Sequence, residues 1–519
     1  MSVECQNYKQ FDFRQLTFGR LTIKLIECNF DKKINGLALT KFLKRKYKMR
    51  KLVLFGVFSL MVSSIRAQSS PFLLKDCIDY AWKNNLDVQQ ALLSERSVEI
   101  GERQSYTSLL PSLSASAGQH YQFGRTIDRF TNTFINQTLR SNNIGLNAGL
   151  TVFNGFQNYN NIKQQQTLRK VSAENIENIK NQVAINVSSA YLLVIQSVEQ
   201  VKNAEMQVQT TLQNIIRAQK MVDAGVADLT VLLTQKAQLA NEELAIINAN
   251  AQYNNAILSL KMLMQYPFSD PFELLMPANI QTLMAQTGTA DDIYRAAVSK
   301  LPQVRAAVLQ KEAADIQIRV SKSLWSPTVS LYGSVSTVFS ENAREITGVN
   351  INGTQVIGVT QNGNENVVQP VYSFQTKTID FNKQLRDNIG QSAGISLSWN
   401  LFNGFQSQNQ IAKSKINSQV SELNLKRVEN SLMNEINLAY NNYLAATQRY
   451  AATTKSVEAQ QNNLNYIQKR YEAGATNVFE LTQAKNNYSM ATSNEIQAKY
   501  EVVFRALIIE FYKGNPIAL

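Results

Sequence analysis

The residues Gly390-Gln391-Ser392-Ala393-Gly394 fit the G-x-S-x-G pattern of a nucleophile elbow, a serine held on a sharp strand-to-helix turn. Such a serine needs a histidine as its base, and the chain has one, His120, far away in sequence. The elbow also needs a strand before the serine and a helix after it. Here an alternating run follows instead, with Ile395, Leu397, Trp399 and Leu401 set against Ser396, Ser398 and Asn400. The two glycines therefore read as the start of a strand, and a hydrolase is not expected. Cys77 is the one cysteine beyond residue 67, which leaves it no partner for an intramolecular disulfide. No histidine cluster, cysteine pair or phosphate loop points to a metal or nucleotide, so no cofactor is expected. What remains is a set of glycines, aromatics and carboxylates at places where the backbone must turn. The question becomes which elements they join.

A formal charge of +13 would suit a nucleic-acid partner if it covered a folded surface. It does not. Residues 1–48 hold 11 Lys/Arg against 4 Asp/Glu, Arg50, Lys51 and Arg66 add three, and everything from Gln68 onward carries a net +3. No nucleic acid is expected as a partner. From Met49 the chain reads MRKLVLFGVFSLMVSSIRAQ, with a basic start, an apolar run from Leu52 to Val62, and Ala67 before Gln68. That is the layout of a secretory signal peptide over residues 49–67, and residues 1–48 read as a non-native upstream extension. No later stretch of about 18 apolar residues occurs, which excludes an ordinary transmembrane helix. An exported chain of this kind is periplasmic, secreted, or an outer-membrane β-barrel.

The pentapeptide Phe153-Asn154-Gly155-Phe156-Gln157 returns as Phe402-Asn403-Gly404-Phe405-Gln406, 249 positions later. Ala190-Tyr191 and Ala439-Tyr440 keep that offset, as do Ala224-Gly225 and Ala473-Gly474. Beyond the glycine, Leu233-Thr234-Gln235 meets Leu481-Thr482-Gln483 at an offset of 248, as though one residue had been gained or lost. The chain reads as an internal two-fold repeat, residues 68–280 and 281–519. Between each pentapeptide and the next Ala-Gly there is no proline and no glycine. Val194, Val201, Val208, Ile215 and Val222 fall seven apart, and so do Tyr443, Tyr450, Val457, Leu464 and Tyr471. A sustained seven-residue apolar repeat is the seam of a coiled coil. Tyr159 to Val222 would extend about 96 Å as a helix, ended by Gly225 as a C′ glycine. The segments 226–264 and 81–109 together match that length. The second copy offers 409–471, 475–513 and 291–324. Each unit is expected as one long helix beside two half-length ones.

Four segments alternate with period two, near 113–123, 143–153, 329–339 and 394–402. Leu113, Ala115 and Ala117 oppose Ser114, Ser116 and Gly118; Ile144, Leu146, Ala148, Leu150 and Val152 oppose Gly145, Asn147, Gly149 and Thr151. Length, alternation and flanking aromatics such as Tyr121, Phe123, Phe153, Trp399 and Phe402 suit transmembrane barrel strands. Four strands cannot close a barrel, and an open edge in lipid leaves backbone groups unpaired, so other copies of the chain must complete it. The stretch 340–390, rich in Gly, Asn, Gln and Thr between two strands, is expected as an extracellular loop insertion.

A signal peptide followed by two units of helix, strand, strand, long helix, turn and helix resembles the TolC-like outer-membrane efflux proteins. The residues that carry the resemblance are Trp399-Asn400-Leu401-Phe402-Asn403-Gly404, similar to that family's strand-to-helix joint, and Arg470-Tyr471-Glu472-Ala473-Gly474 with Leu481 and Ala484, similar to its periplasmic helix turn. The resemblance implies a mixed α+β membrane protein in the outer membrane of a Gram-negative bacterium. It implies a homotrimer in which twelve strands close one barrel above an antiparallel coiled-coil tunnel in the periplasm, carrying substrates without chemistry. Its partners would be outer-membrane lipid, a periplasmic adaptor and, through it, an inner-membrane pump. Ala224, Gly225, Ala473 and Gly474 would contact the adaptor at the tunnel tip. Glu480, with Tyr471 and Gln483, would form the periplasmic gate, with Glu480 from three chains as a carboxylate ring. Thr476 and Gln483 depart from the family's usual arginine and second acid. Phe153, Asn154, Gly155, Phe156, Phe402, Asn403, Gly404 and Phe405 would form the strand–helix joints, bulkier than usual because Phe156 and Phe405 replace a second glycine. The same duct could serve type I protein secretion or metal export. A secreted coiled-coil adhesin explains the helices but not the four strands.

Overall fold

A computed structural model describes residues 71–127, 132–136, 138–275, 288–363 and 365–517. The expected upstream extension, the signal peptide and the boundary at 280/281 lie outside the described residues. The long proline- and glycine-free runs are two helices of 67 residues each, α3 (Gln157–Asp223) and α8 (Gln406–Glu472). At the usual rise each extends about 100 Å. Both begin and end 249 positions apart. The shorter helices come in broken pairs. α1 (Leu74–Asn84) and α2 (Leu86–Thr107) are interrupted at Asn85, whose backbone is extended and whose side chain accepts from the Asp87 N–H to cap α2. α5 (Ala290–Lys300) and α6 (Pro302–Lys322) break likewise at Leu301, where Pro302 suits the first helical position because its missing N–H would be unpaired there anyway. α4 (Leu229–Met264) and α9 (Val478–Tyr512) return alongside the long helices.

α3 packs on α2 and α1 along one part of its length and on α4 along another, while α8 packs on α6, α5 and α9. Two apolar cores form where these helices meet. The first joins Cys77, Ile78 and Ala81 of α1 to Val187, Tyr191 and Ile195 of α3, Leu260 and Met264 of α4, and Tyr500 and Val503 of α9. The second joins Ile293 and Ala297 of α5 to Leu432 and Ile436 of α8 and to Val502, Ala506 and Ile509 of α9. α9 thus lies between the two cores, with neighbouring residues such as Val502 and Val503 buried in different ones. Among the described residues no helix is long and apolar enough to cross a membrane.

The seven-residue seam is only part of the contact. Val201, Val208, Ile215, Val222, Tyr450, Val457, Leu464 and Tyr471 are half-buried. Ala190, Ser197, Thr211 and Ala218, a series of small residues at multiples of seven, are buried outright. Small side chains at these positions let neighbouring helices approach closely. The one-residue shift expected after the glycine turn is also corrected. Leu232 and Leu481, 249 apart, are each 3% exposed, whereas Leu233 is 53% exposed. Burial keeps the 249 spacing, and the Leu-Thr-Gln match at 248 is a coincidence of letters.

Four strands form one antiparallel sheet in the order β1 (Ser112–Gln122), β4 (Leu139–Asn154), β5 (Thr328–Ser340), β8 (Gly390–Ser398). Its register places Leu113 opposite Ala148, Leu146 opposite Val335, and Leu331 opposite Ile395, so one face is apolar across all four strands. The other face is serine, glycine and asparagine, with Ser116 opposite Gly145 and Ser334 opposite Ser392. The apolar face is uncovered: Leu113 and Ile395 are more than 70% exposed. The outer edges of β1 and β8 pair with no described strand. Between β1 and β4 stands a short hairpin, β2 (Arg125–Ile127) with β3 (Phe134–Asn136).

Two boundaries differ from expectation. β8 was expected over 394–402 and instead covers Gly390–Ser398, because its partner β5 begins at Thr328, opposite Ser398, and leaves Trp399 to Phe402 nothing to pair with. The stretch 340–390, expected as a loop insertion between two strands, carries secondary structure of its own. It is a long antiparallel ribbon, β6 (Arg344–Val359) with β7 (Asn366–Thr378), followed by α7 (Phe381–Asp387). Its alternation is hidden in the sequence because three irregularities on β6 break the period of two.

Candidate functional site

Ser392 lies within β8, its hydroxyl 2.8 Å from that of Ser334, while His120 lies on β1 at the opposite edge of the sheet. No nucleophile and base are brought together. Among the described residues no cluster of His, Cys, Asp and Glu could hold a metal.

The two joints share a backbone. At the first, Gly155 and Phe156 are both left-handed, at φ 63° and 62°; at the second, Gly404 and Phe405 are at 63° and 64°. The asparagine before each glycine starts the helix: the Asn154 side chain accepts from the Asn158 N–H, and Asn403 donates to the Ser407 hydroxyl at 2.8 Å. The left-handed region is open to glycine but strains a phenylalanine. The compensation is aromatic. Phe153 meets Phe156 edge-on at 5.5 Å, and Phe402 meets Phe405 at the same distance and angle class. Sequence reading placed the turn on Asn-Gly and missed that the phenylalanine itself turns. The joints differ in one respect. A Cβ on Gly155 would lie 2.4 Å from the Ser326 side chain, whereas nothing lies within 4 Å of one on Gly404.

At the far ends of α3 and α8 the chain reverses through two equivalent turns. Gly225 (φ 70°) donates to the Val222 carbonyl, and Val226 donates to that of Met221; Gly474 (φ 67°) and Ala475 do the same to Tyr471 and Arg470. This pair of bonds is the Schellman motif, which satisfies the last helical carbonyls. Asp228 and Asn477 then cap α4 and α9. Ala224, Gly225, Ala473 and Gly474 are all exposed. Arg217 Nη1 and Glu472 Oε1, 2.9 Å apart, tie the penultimate turn of α3 to the last turn of α8, and the guanidinium holds the Glu472 carboxyl below its ordinary range.

The three residues expected at a gate are near these turns but are not joined to one another. Glu480 is exposed at the third position of α9, where its N–H donates to the Asn477 side chain at 2.9 Å and its carboxylate accepts from the Thr476 hydroxyl. Gln483 is exposed one turn on and donates to Asn487 at 3.0 Å. Tyr471 is half-buried in the last turn of α8, where burial raises its phenol and the Arg217 charge partly offsets the rise.

Sequence reasoning missed the strongest polar feature of this region. Lys485 of α9 and Glu242 of α4 are both buried, with Lys485 Nζ 2.9 Å from Glu242 Oε1. Lys485 also donates to the Gln207 carbonyl of α3 at 2.9 Å and to the Thr211 hydroxyl, which in turn donates to Glu242 at 2.5 Å. Gln238 bridges Glu242 and Asn486 at 2.9 Å each. Burial holds the Lys485 amine below its ordinary range, and Glu242 pulls it partly back. Further along, Gln200 and Asn203 of α3 bond Ser493 of α9, and the carboxylate of Glu199 accepts from Lys499 and Tyr500. A cavity of about 310 Å³ lined by Gln200, Asn203, Asn248, Gln252 and Ser489 opens between α3, α4 and α9. One signal could have pointed here: Lys485 falls four residues after buried Leu481, a charge on the apolar face of its helix.

Long paired helices, joined through aromatic turns to a sheet with one apolar face and two open edges, are the architecture of an outer-membrane channel protein. The sequence profile of the outer membrane efflux protein family matches residues 77–264 and 293–507, and the chain belongs to that family. It is 20% identical to the outer membrane efflux protein BepC of Brucella suis over 69% of each chain. It is also 20% identical to toxin and drug export protein A of Aggregatibacter actinomycetemcomitans over 83% of each chain. Its fold is similar to that of CusC, whose crystal structures concern folding and transmembrane channel formation, at a TM-score of 0.67 and 14% identity over 87% of this chain and 96% of that one. It is similar to the outer membrane protein VceC of Vibrio cholerae at 0.64 and 12% over 86% and 96%.

Proposed function

We propose that the chain is one third of an outer-membrane exit duct: a homotrimer that receives substrates from a periplasmic adaptor and an inner-membrane pump and releases them outside. The observation that carries this reading is the sheet. An apolar face uncovered across four strands suits lipid, a serine- and glycine-lined face suits a water-filled lumen, and two unpaired edges cannot remain open in hydrocarbon. Pairing β8 of one copy with β1 of the next closes twelve strands in three chains. The helices then continue as a periplasmic tunnel, and the repeat reading is supported by equal lengths and equal joints at a spacing of 249.

At the tunnel tip the exposed turns at Ala224-Gly225 and Ala473-Gly474 are the adaptor contact in this reading. Glu480 from three copies forms a carboxylate ring that draws cations. Tyr471, half-buried, acts mainly in packing, and Gln483 leaves the ring with a single acid per chain. The names of the relatives, efflux protein and toxin and drug export protein, fit small-molecule efflux and type I protein secretion alike. Substrate choice rests with the pump. Purification from outer membranes in detergent tests the assembly: a trimeric mass with a conducting pore in planar bilayers is expected, and recovery of soluble monomers without detergent would favour an adhesin instead. In the same bilayers Glu480→Gln is expected to lower cation selectivity; an unchanged pore would remove the ring from the reading.

A further inference from the structure

The ribbon of β6 and β7 rises from the end of the sheet farthest from the helices, between β5 and β8. It is rooted there by the Ile379 N–H bond to the Ala343 carbonyl and by Gln384 of α7, which bonds both backbone groups of Ser340. Beyond that root, no other described element packs substantially against either strand. Its two faces are unlike. The β7 alternation runs unbroken, placing Tyr372 and Phe374 on one side, with Ile351 and Val349 directly opposite them. The irregularities on β6 keep Ile346 and Val356 on that same side although they lie an odd number of residues from Val349 and Ile351. These six side chains are each between 51% and 65% exposed. The other face carries Asn350, Gln355, Gln369, Ser373 and Gln375, with Val367 and Val371 its apolar members.

A two-stranded hairpin with nothing behind it is marginal in water and needs a packed apolar face to persist. A monomer rarely leaves a contiguous apolar patch above about 300–600 Å² uncovered, and larger ones mark interaction sites. Two observations choose the occupant. The ribbon stands between β5 and β8, the strand whose open edge meets the next copy in the trimer reading, so three ribbons would rise close together around one mouth. Residues 346–359 and 367–376 contain no charge at all, so three copies can approach without repulsion. An anionic lipid surface would instead be met by Lys or Arg.

We propose that the apolar faces of the ribbons from the three copies pack on one another, forming a collar at the outer mouth with the polar faces turned to water. The proposal rests on the trimer reading and adds an interface that reading does not require. Its test places single cysteines on the full chain, Ile351→Cys and Phe374→Cys on the apolar face, Asn350→Cys and Ser373→Cys on the polar one. Ile351, Phe374 and Asn350 are exposed in the single chain and Ser373 is half-buried, where cysteine is close to serine in size, so folding is not at stake, and Cys77 is buried. Cells are treated with a short bismaleimide, and the mass of the detergent-purified protein is measured separately. The apolar-face variants should yield at least ~10-fold more cross-linked chains than the polar-face variants, as side chains held at millimolar effective concentration do. A trimer whose apolar-face cysteines label freely and do not cross-link would overturn the collar alone. A trimer whose apolar-face cysteines are shielded in membranes, label in detergent and do not cross-link would also overturn it, in favour of lipid or another macromolecule. A monomeric mass would overturn the assembly reading, and the collar with it.

Discussion

α9 crosses two environments that ask different things of it. In one half, Tyr500, Val503 and Leu507 enter a core with Tyr191, Ile195 and Leu260, where contact is apolar and side chains interdigitate. In the half toward the helix turns Leu481, Ala484 and Ala491 are still buried, but Thr482, Lys485, Asn486 and Ser493 add hydrogen bonds and one buried ion pair to α3 and α4. Apolar burial is non-directional and stabilises any close arrangement by a similar amount. A buried polar network stabilises one arrangement and penalises near misses, because a group that loses its partner there keeps its desolvation cost. The waist of the bundle is thus suited to hold. The turn end is suited to have one well-defined resting arrangement, left at a cost.

The largest effect should come from breaking that pair on one side. Lys485→Met leaves Glu242 buried without its cation, a change that costs about 3–5 kcal/mol when a buried pair loses one partner. Hydrogen exchange over residues 205–245 and 478–490 should accelerate accordingly, while residues 187–195 in the waist keep their protection. Lys485→Met with Glu242→Leu should restore most of the protection, since the double change removes both desolvation penalties. Loss of protection spreading equally into the waist would show that the two halves are one unit and undo the contrast.

A similar difference hides between the two joints, which match residue for residue. Alanine at Gly155 or Gly404 meets the same left-handed backbone, costing about 1–2 kcal/mol. Only at Gly155 does the new methyl also strike Ser326. Gly155→Ala should therefore lower assembled yield and thermal stability of the purified protein clearly more than Gly404→Ala. Equal losses would mean that the loop before β5 yields freely.

These cases show which parts of the molecule could be read from residue types. The two pentapeptides, Gly225 and Gly474 were legible because glycine and aromatic residues at a fixed spacing announce backbone demands that few others meet. Apolar alternation in β4 was legible because its one bulge, at Thr151/Phe153, falls near its end. The ribbon was not, since three irregularities on β6 scramble the period by which a strand is recognised. Phe156 and Phe405 gave no sign of left-handed backbone, a conformation sequence rules assign to glycine. The Lys485–Glu242 pair joins residues 243 apart, and only the packing of α4 against α9 makes them neighbours. Glu480 was visible through the family resemblance, yet its capping role with Asn477 and Thr476 is local geometry.

Alkaline pH should move the two halves in opposite directions. Burial lowers the Lys485 pKa from 10.5, so between its folded value and 10.5 the unfolded end binds the extra proton, and stability there rises with pH. Burial pushes the Tyr191 phenol from 10.0 up to about 12, so the folded waist keeps a proton the unfolded chain loses, and stability falls as pH climbs from 10 toward 12. Hydrogen exchange corrected for its intrinsic pH dependence, taken from about pH 9 to about pH 11 around these ordinary lysine and tyrosine values, should show protection falling over 187–195 and not over 205–245. In the Lys485→Met, Glu242→Leu variant the rise at the turn end should vanish. Parallel curves in both halves would deny Lys485 its part.

The smallest effect is expected at the outermost contact. Arg217 and Glu472 sit 2.9 Å apart, close enough to suggest a lock between the two turns, but both side chains are more than 40% exposed. Water and salt screen an exposed pair, and ordering two long side chains opposes it, so many such pairs contribute little that can be measured. Arg217→Ala should leave exchange over 205–245 nearly unchanged, and what change there is should fade at high salt. The carboxylate of Glu472, held below its ordinary range by the guanidinium, contributes above about pH 4.5 and is lost as pH falls below it. That sets a second check: wild type and Arg217→Ala should converge in acid. An Arg217→Ala effect as large as that of Lys485→Met would shift the lock from the buried seam to the exposed turns, and the polar network behind them would then be packing rather than control.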